Sequence, residues 1–119
     1  MGLSWQVGAF DEVHLKKLKA VGSCPSCDLS GAKLVDANLT GASLADANLF
    51  SADLTDANLT KANLTGANLE VANLYGADLE GANLEGTDLT GANLAKAKLS
   101  RAKLCNTTMP DGSVVYTGC

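Results

Sequence analysis

From Leu29 to Leu104 the chain places Leu at every fifth position without a break, sixteen times in all. Two residues before each of these stands Ala in fourteen cases, with Cys27 and Thr87 the exceptions. Before each Leu comes mostly Asn, Asp or Lys, and after it mostly Thr, Glu, Ser or Gly, so only two positions in five are apolar throughout. On an α-helix a five-residue step turns roughly 500°, which scatters Leu59, Leu64 and Leu69 around the axis instead of lining one face. In a flat strand an odd spacing sends successive leucines to opposite faces and leaves half of them in water. A chain that turns by about 90° every five residues removes the conflict: repeats close into square coils, and coils stack at the roughly 4.8 Å spacing of a parallel β-ladder. Leu and Ala then point inward, the other three positions face water, and each Leu lies over the Leu twenty residues earlier.

Gly at the second position after Leu, as at Gly41, Gly66, Gly76, Gly81, Gly86 and Gly91, supplies the positive φ of a type II corner. Corners that carry Asp36, Asp46, Asp56 or Lys61 instead are expected to turn less regularly. Ala suits the second inward site because a square one side chain deep leaves room for little more than a methyl beside each Leu.

The tandem seen as AKLVD, ANLTG, ADLTD, ANLYG and ANLEG resembles the pentapeptide-repeat family over about two thirds of the chain. The resemblance implies an all-β solenoid, a right-handed quadrilateral β-helix, here with a short N-terminal capping α-helix. Departures are few: Lys33, Lys98 and Lys103 stand before Leu, and Thr87 and Thr107 replace Ala. The end segments CPSCDLSGA and CNTTMPDGS are similar to those of small, often exported members of the family, which implies the periplasm or thylakoid lumen and leaves a cytoplasmic home open.

Four segments follow: residues 1–9 as a leader or signal-peptide remnant, 10–26 as a helical cap, 27–108 as a β-helix of about four coils, and 109–119 as a C-terminal cap. Val7-Gly8-Ala9 has the small-x-small form of a signal-peptidase site, although an ordinary N-terminus fits it equally well. DEVHLKKLKAV has an acidic first turn, basic later residues and apolar Val13, Leu15, Leu18 and Val21, as expected of a helix ending before Gly22. His14 reads as a surface residue there, since no second His exists to make a pair. After Leu104, Met109 and Val114 keep the inward phase while Pro110, Asp111 and Gly112 bring turn chemistry, so the tail is expected to fold over the last coil. With both ends covered, a monomer is expected.

In the implied fold Cys24 and Cys27 precede the first coil and Cys105 and Cys119 follow the last, about 20 Å away along the axis. Tetrahedral zinc cannot bridge that gap, so no metal site is expected, and an even cysteine count suggests one disulfide at each end.

Among 119 residues 46% are hydrophobic but only 4% aromatic, which suits a narrow core built of many small equivalent pieces. The net charge of −4 is not gathered into long runs and argues neither for nucleic-acid binding nor for disorder. No apolar run approaches the ~18 residues of a membrane span. Asp53, Asp56, Glu70, Asp78, Glu80 and Glu85 are numerous, yet acid–base chemistry needs a pocket that a filled square does not provide. No phosphate loop joins a strand to a helix, so neither an enzyme nor a cofactor is expected.

The expected role is a non-catalytic structural or protein-interaction module with an unknown protein partner. The alternative implied by the family is a DNA mimic that binds topoisomerase. From Asp28 to Leu94 ten acidic residues face two lysines, a net −8, but the acids spread over all four faces, whereas a mimic needs one long acidic face. Candidate contact residues are Val35 and Tyr75 on one face, Phe50 on the neighbouring one, and the basic group Lys96, Lys98, Arg101 and Lys103.

Overall fold

In the computed structural model, which describes residues 10–119, parallel bridges join residues twenty apart at every fifth position, from Ser23 with Ser43 to Asp88 with Thr108. Four bridges complete each turn of a coil, so pairing begins four residues earlier than the expected start at Cys27. The stacked coils form a narrow rod.

One repeat shows why the period holds. Asn58 N–H donates back to Ala37 O (2.9 Å), while Leu59 N–H and Lys61 N–H donate forward to Asp78 O (2.7 Å) and Glu80 O (2.9 Å). Ala62 N–H closes the corner on Leu59 O (3.0 Å). The remaining donor, Thr60 N–H, is taken by the Asn58 side chain at 3.0 Å. Every backbone N–H of the repeat is therefore matched, as a narrow rod with no second layer of structure requires. The Asn or Asp before Leu is thus more than a water-facing residue: from Asp28 to Asn93 twelve of them accept the N–H two residues on, each an Asx-turn.

The core is a column of Leu and Ala. Leu44, Leu49, Leu54, Leu59, Leu64, Leu69, Leu74, Leu79, Leu84 and Leu89 are all fully buried, and the Ala sites beside them almost as deeply. Thr87 and Thr107 occupy Ala sites without leaving a polar group unmatched, because their hydroxyls donate to Leu64 O (2.7 Å) and Leu84 O (2.6 Å).

The expectation of irregular non-glycine corners is not met. Asp36, Asp46 and Lys61 adopt φ of 59–60°, close to the 67–71° of Gly31 to Gly91. The corner bond and the ladders on either side hold the left-handed conformation, overriding a local cost of about 1–2 kcal/mol for a residue with a Cβ. A Cβ on Gly66 or Gly76 would collide only with the Oδ1 of Asp46 or Asp56, the mobile end of a side chain that a rotation moves aside, so their positive φ of 68° is what favours glycine there. Val71, β-branched at φ 50°, is the most strained corner.

Helix α1 (Glu12–Val21) caps the first coil, with Asp11 as N-cap accepting from Val13 N–H at 2.8 Å and Gly22 ending it in the left-handed conformation. Its predicted apolar face narrows to Leu18, which is buried, and half-buried Leu15, while Val13 and Val21 point to solvent. His14 is not a bystander: half-buried, its Nδ1 accepts the Asp28 N–H at 2.8 Å and so covers part of the first ladder edge.

At the other end the tail forms a hairpin of β1 (Leu104–Thr108) and β2 (Val114–Thr117), paired antiparallel with a bulge between Cys105 and Thr107. Pro110, Asp111 and Gly112 make its turn, where Asp111 accepts from Ser113 Oγ (2.6 Å) and Ser113 N–H (2.9 Å). These bonds, the hydroxyl's first, hold the Asp111 carboxyl below its ordinary range. Met109 packs against the core, but Val114 is exposed. The tail covers only the β1 side of the last coil, so Leu94, Ala97 and Leu99 remain partly exposed and that end is half open. The residues 1–9 read as a leader lie outside the described part of the chain.

These contacts make the outcome of three substitutions specific. Ala67→Leu, at a site 1% exposed, overpacks the square and lowers stability by about 1–3 kcal/mol or more. Asn68→Lys removes one Asx-turn bond and costs only about 1 kcal/mol, as a net hydrogen bond does. Equal denaturation midpoints for the two variants would contradict the inward placement of Ala67. Val71→Asn relieves a left-handed β-branched residue and raises the melting temperature, a gain of about 1 kcal/mol; a lower melting temperature would show that Val71 is not strained.

Candidate interaction surface

Because every inward position is Leu or a small residue, differences between repeats are displayed outside. Val35, Thr55 and Tyr75 stack in one column, held in register by Asp36 N–H to Thr55 O (2.9 Å) and Asp56 N–H to Tyr75 O (2.8 Å). Val35 is 48% exposed and Tyr75 37%, and Phe50, at 36%, stands apart on the neighbouring face. Val71, at the corner after the Phe50 column, adds an apolar group that the periodicity left unmarked. Val35 also borders a cleft of about 330 Å³ between α1 and the first coil, whose floor is Leu34, Ala37 and Leu39 and whose rim carries Lys19 and Lys33. The cleft brings together two amines and no acid, so it lacks a paired acid and base.

The basic residues lie together on the last coil, which contains no acid. Lys103 reaches back one coil to Glu85, Nζ to Oε1 3.2 Å, an exposed pair of the kind that contributes about 0–1 kcal/mol. Lys96, Lys98 and Arg101 make no ion pair among the described residues, and Lys96, Lys98 and Arg101 are exposed. Lys98 and Lys103 replace the Asn of the Asx-turn, so the change that adds charge also removes a local backbone bond.

Cys24 and Cys27 are joined across 5.5 Å between Cα atoms beside the first coil, and Cys105 and Cys119 across 5.0 Å at the tail. The first pair is buried under α1, while the second clamps the end of β2 to the start of β1. Among the described residues no three His, Cys, Asp or Glu are placed to hold a metal ion, and no helix is long and apolar enough to cross a membrane.

A stack of coils whose core takes one Leu per repeat and, except at Cys27, Thr87 and Thr107, one Ala methyl beside it defines a repeat-built solenoid. Pentapeptide repeats match residues 26–55, 52–91 and 72–109 in eight copies, and the chain belongs to that family. A pentapeptide repeat protein from Nostoc Pcc 7120 is similar at 37% identity over 86% of this chain and 82% of that one, with a TM-score of 0.70. Another, from the Arabidopsis thaliana thylakoid lumen, is similar at 30% identity over 82% of this chain and 73% of that one, with a TM-score of 0.64. No curated protein matches the chain.

The two crosslinks differ in what they restrain. Opening the Cys105–Cys119 loop, fourteen residues long, lowers stability by about 3 kcal/mol in the chain-entropy model, and the shorter Cys24–Cys27 loop contributes less by that term. Mass spectrometry of unreduced peptides is expected to find these two pairs in protein from its native compartment; four free thiols, or a bridge between the ends, would contradict it.

Proposed function

We propose that this chain is a non-catalytic rod, wound as a right-handed quadrilateral β-helix, that works by binding another protein. The observation that carries the reading is the matched interior: core sites are filled, and the repeat's donors are consumed by its own backbone and Asn side chains. What remains for chemistry is side chains on stiff, flat faces, which suits recognition of a macromolecule better than enclosure of a small one. In this reading residues 10–26 cap the rod, 27–108 form it and 109–119 close one side of its far end. The contact residues are Val35, Phe50 and Tyr75 on the faces and Lys96, Lys98, Arg101 and Lys103 at the end.

Export to an oxidising compartment fits the two disulfides, and the thylakoid-lumen origin of one similar protein supports it. A protein partner is favoured over a nucleic acid because the basic group is confined to one coil of an otherwise acidic rod. The expectation of a monomer loses part of its ground, since the last coil is half open.

Recovery of native partners on immobilised wild-type protein, compared with the Tyr75→Ala and Arg101→Ala variants, tests the reading. Loss of a recovered protein in either variant at an unchanged melting temperature is the expected result. Unchanged recovery shows that these surfaces are not the site, and inhibition of a topoisomerase by the wild type would replace the reading with DNA mimicry.

A further inference from the structure

Along the rod each Leu and each corner residue donates its N–H to the following coil, as Leu74 does to Asn93 O (2.8 Å) and Gly76 to Ala95 O (2.9 Å). In the last coil the N–H groups of Leu94, Lys96, Leu99 and Arg101 meet no acceptor among the described residues. The carbonyls of Ala92 and Ala97 likewise meet no donor there, although Ala72 O and Ala77 O accept from Asn93 (3.0 Å) and Lys98 (2.9 Å) one coil earlier. The other half of the same edge is taken: β2 lies antiparallel along Leu104–Thr108. One side of the terminal coil thus already accepts a strand, and the adjoining side presents the same groups unpaired.

We propose that this open half-edge, residues 92–101, binds an acidic polypeptide segment that adds to the last coil as a further, turning strand. The inference rests on the reading of the rod as a protein-binding module and assigns the place and chemistry of binding. Three observations choose the occupant. The edge offers donors and acceptors in alternation, which a peptide backbone complements and a nucleic-acid backbone, with acceptors alone, does not. Partly exposed Leu94 and Leu99 offer apolar seats beneath it. Lys96, Lys98 and Arg101 border the edge with positive charge that makes no ion pair among the described residues, and the last coil itself carries no acid, the ladder carboxylate below Lys98 being Asp78 of the preceding coil. That charge opposes a second copy joined edge to edge, which would set basic coil against basic coil, and attracts an acidic segment. At the opposite end the N–H groups of Lys33 and Asn38 also meet no acceptor among the described residues, but Leu34 and Leu39 are covered, 2% and 5% exposed, so that edge offers no apolar seat.

The probe is a synthetic ten-residue peptide made of two copies of ADLEG, the acidic repeat that residues 77–81 of this chain carry. In the free protein the amides of Leu94, Lys96, Leu99 and Arg101 exchange with solvent faster than those of Leu74 and Gly76, and the peptide slows the four by about tenfold or more. The triple variant Lys96→Glu, Lys98→Glu, Arg101→Glu loses affinity for the peptide by about tenfold or more, while Lys33→Glu at the far end leaves it unchanged. Lys98→Glu alone supplies the comparison if the triple variant melts early. The edge site is overturned if the four amides are already protected in the free monomer, if they stay unprotected with peptide, or if the triple variant binds equally well. Protection that grows with protein concentration in the absence of peptide also overturns it, in favour of a second copy. The recovery of native partners by wild-type protein reports separately on whether the rod binds a protein at all, so loss of the edge site and loss of the underlying reading are distinguishable.

Discussion

A square coil has room for one Leu and one methyl per repeat, and the rest of the structure follows from that restriction. With so little interior, no long side chain can fold back to satisfy a stray backbone group, so the repeat must match its own donors. It does so by sending Leu and corner N–H groups to the next coil, the Asn N–H to the previous one, the Ala N–H to the corner carbonyl and the last to an Asn side chain. The Asn before Leu is therefore as much a part of the architecture as the Leu itself, and the Thr or Ser that often follows adds a second bond to the same oxygen, as Thr65 Oγ1 does to Asn63 Oδ1 at 2.6 Å.

Local cost is absorbed by this regularity. Ten residues with side chains, from Ser26 to Asn106, hold a positive φ, a conformation that an isolated L-residue disfavours. The five from Asp46 to Val71 donate to the following coil and come after a carbonyl that accepts from the preceding one, so a departure at any of them would break register on both sides, whereas Lys96 and Arg101 lack the bond to a following coil. Stability in such a stack is a sum of repeat and neighbour terms, so the weakest point is an end, where a coil has one neighbour instead of two. The chain answers this with three different devices: a helix with one buried leucine, a histidine that takes an edge donor, and a crosslinked hairpin.

The rod was legible in the sequence because its signal is periodic and redundant: sixteen leucines in phase leave one consistent backbone. The inward role of Leu and Ala, the capping helix and the turn at Pro110–Gly112 were readable from residue type and spacing, while the hairpin that this turn closes was not. What escaped was set by neighbours twenty residues away. The φ of Asp46 is held by its ladder and the role of His14 is set by an edge donor on Asp28. The surface was less legible still. Tyr75 and Val35 could be placed in one column by counting, but the free donors of Leu94 and Leu99 emerge only when the path of the tail is known.

That path also separates the two ends as places for function. If the tail had continued the coil, its residues would have met the N–H groups of Leu94 to Arg101, and the basic residues would have been one more solvated band on a rod. Instead the Met109 N–H turns to Ser113 O (2.7 Å), the chain doubles back along Leu104–Thr108, and the disulfide fixes it there. The half-edge left behind carries unmatched backbone groups, partly exposed leucines and the cations of a coil that holds no acid. Edge lysines alone would keep identical copies apart. An edge that repels its own kind while keeping its donors and leucines accessible is also selective, because a partner must supply carbonyls in register and carboxylates beside them. Repulsion and recognition are then two consequences of one charge arrangement, and both depend on the ladder having stopped where it does.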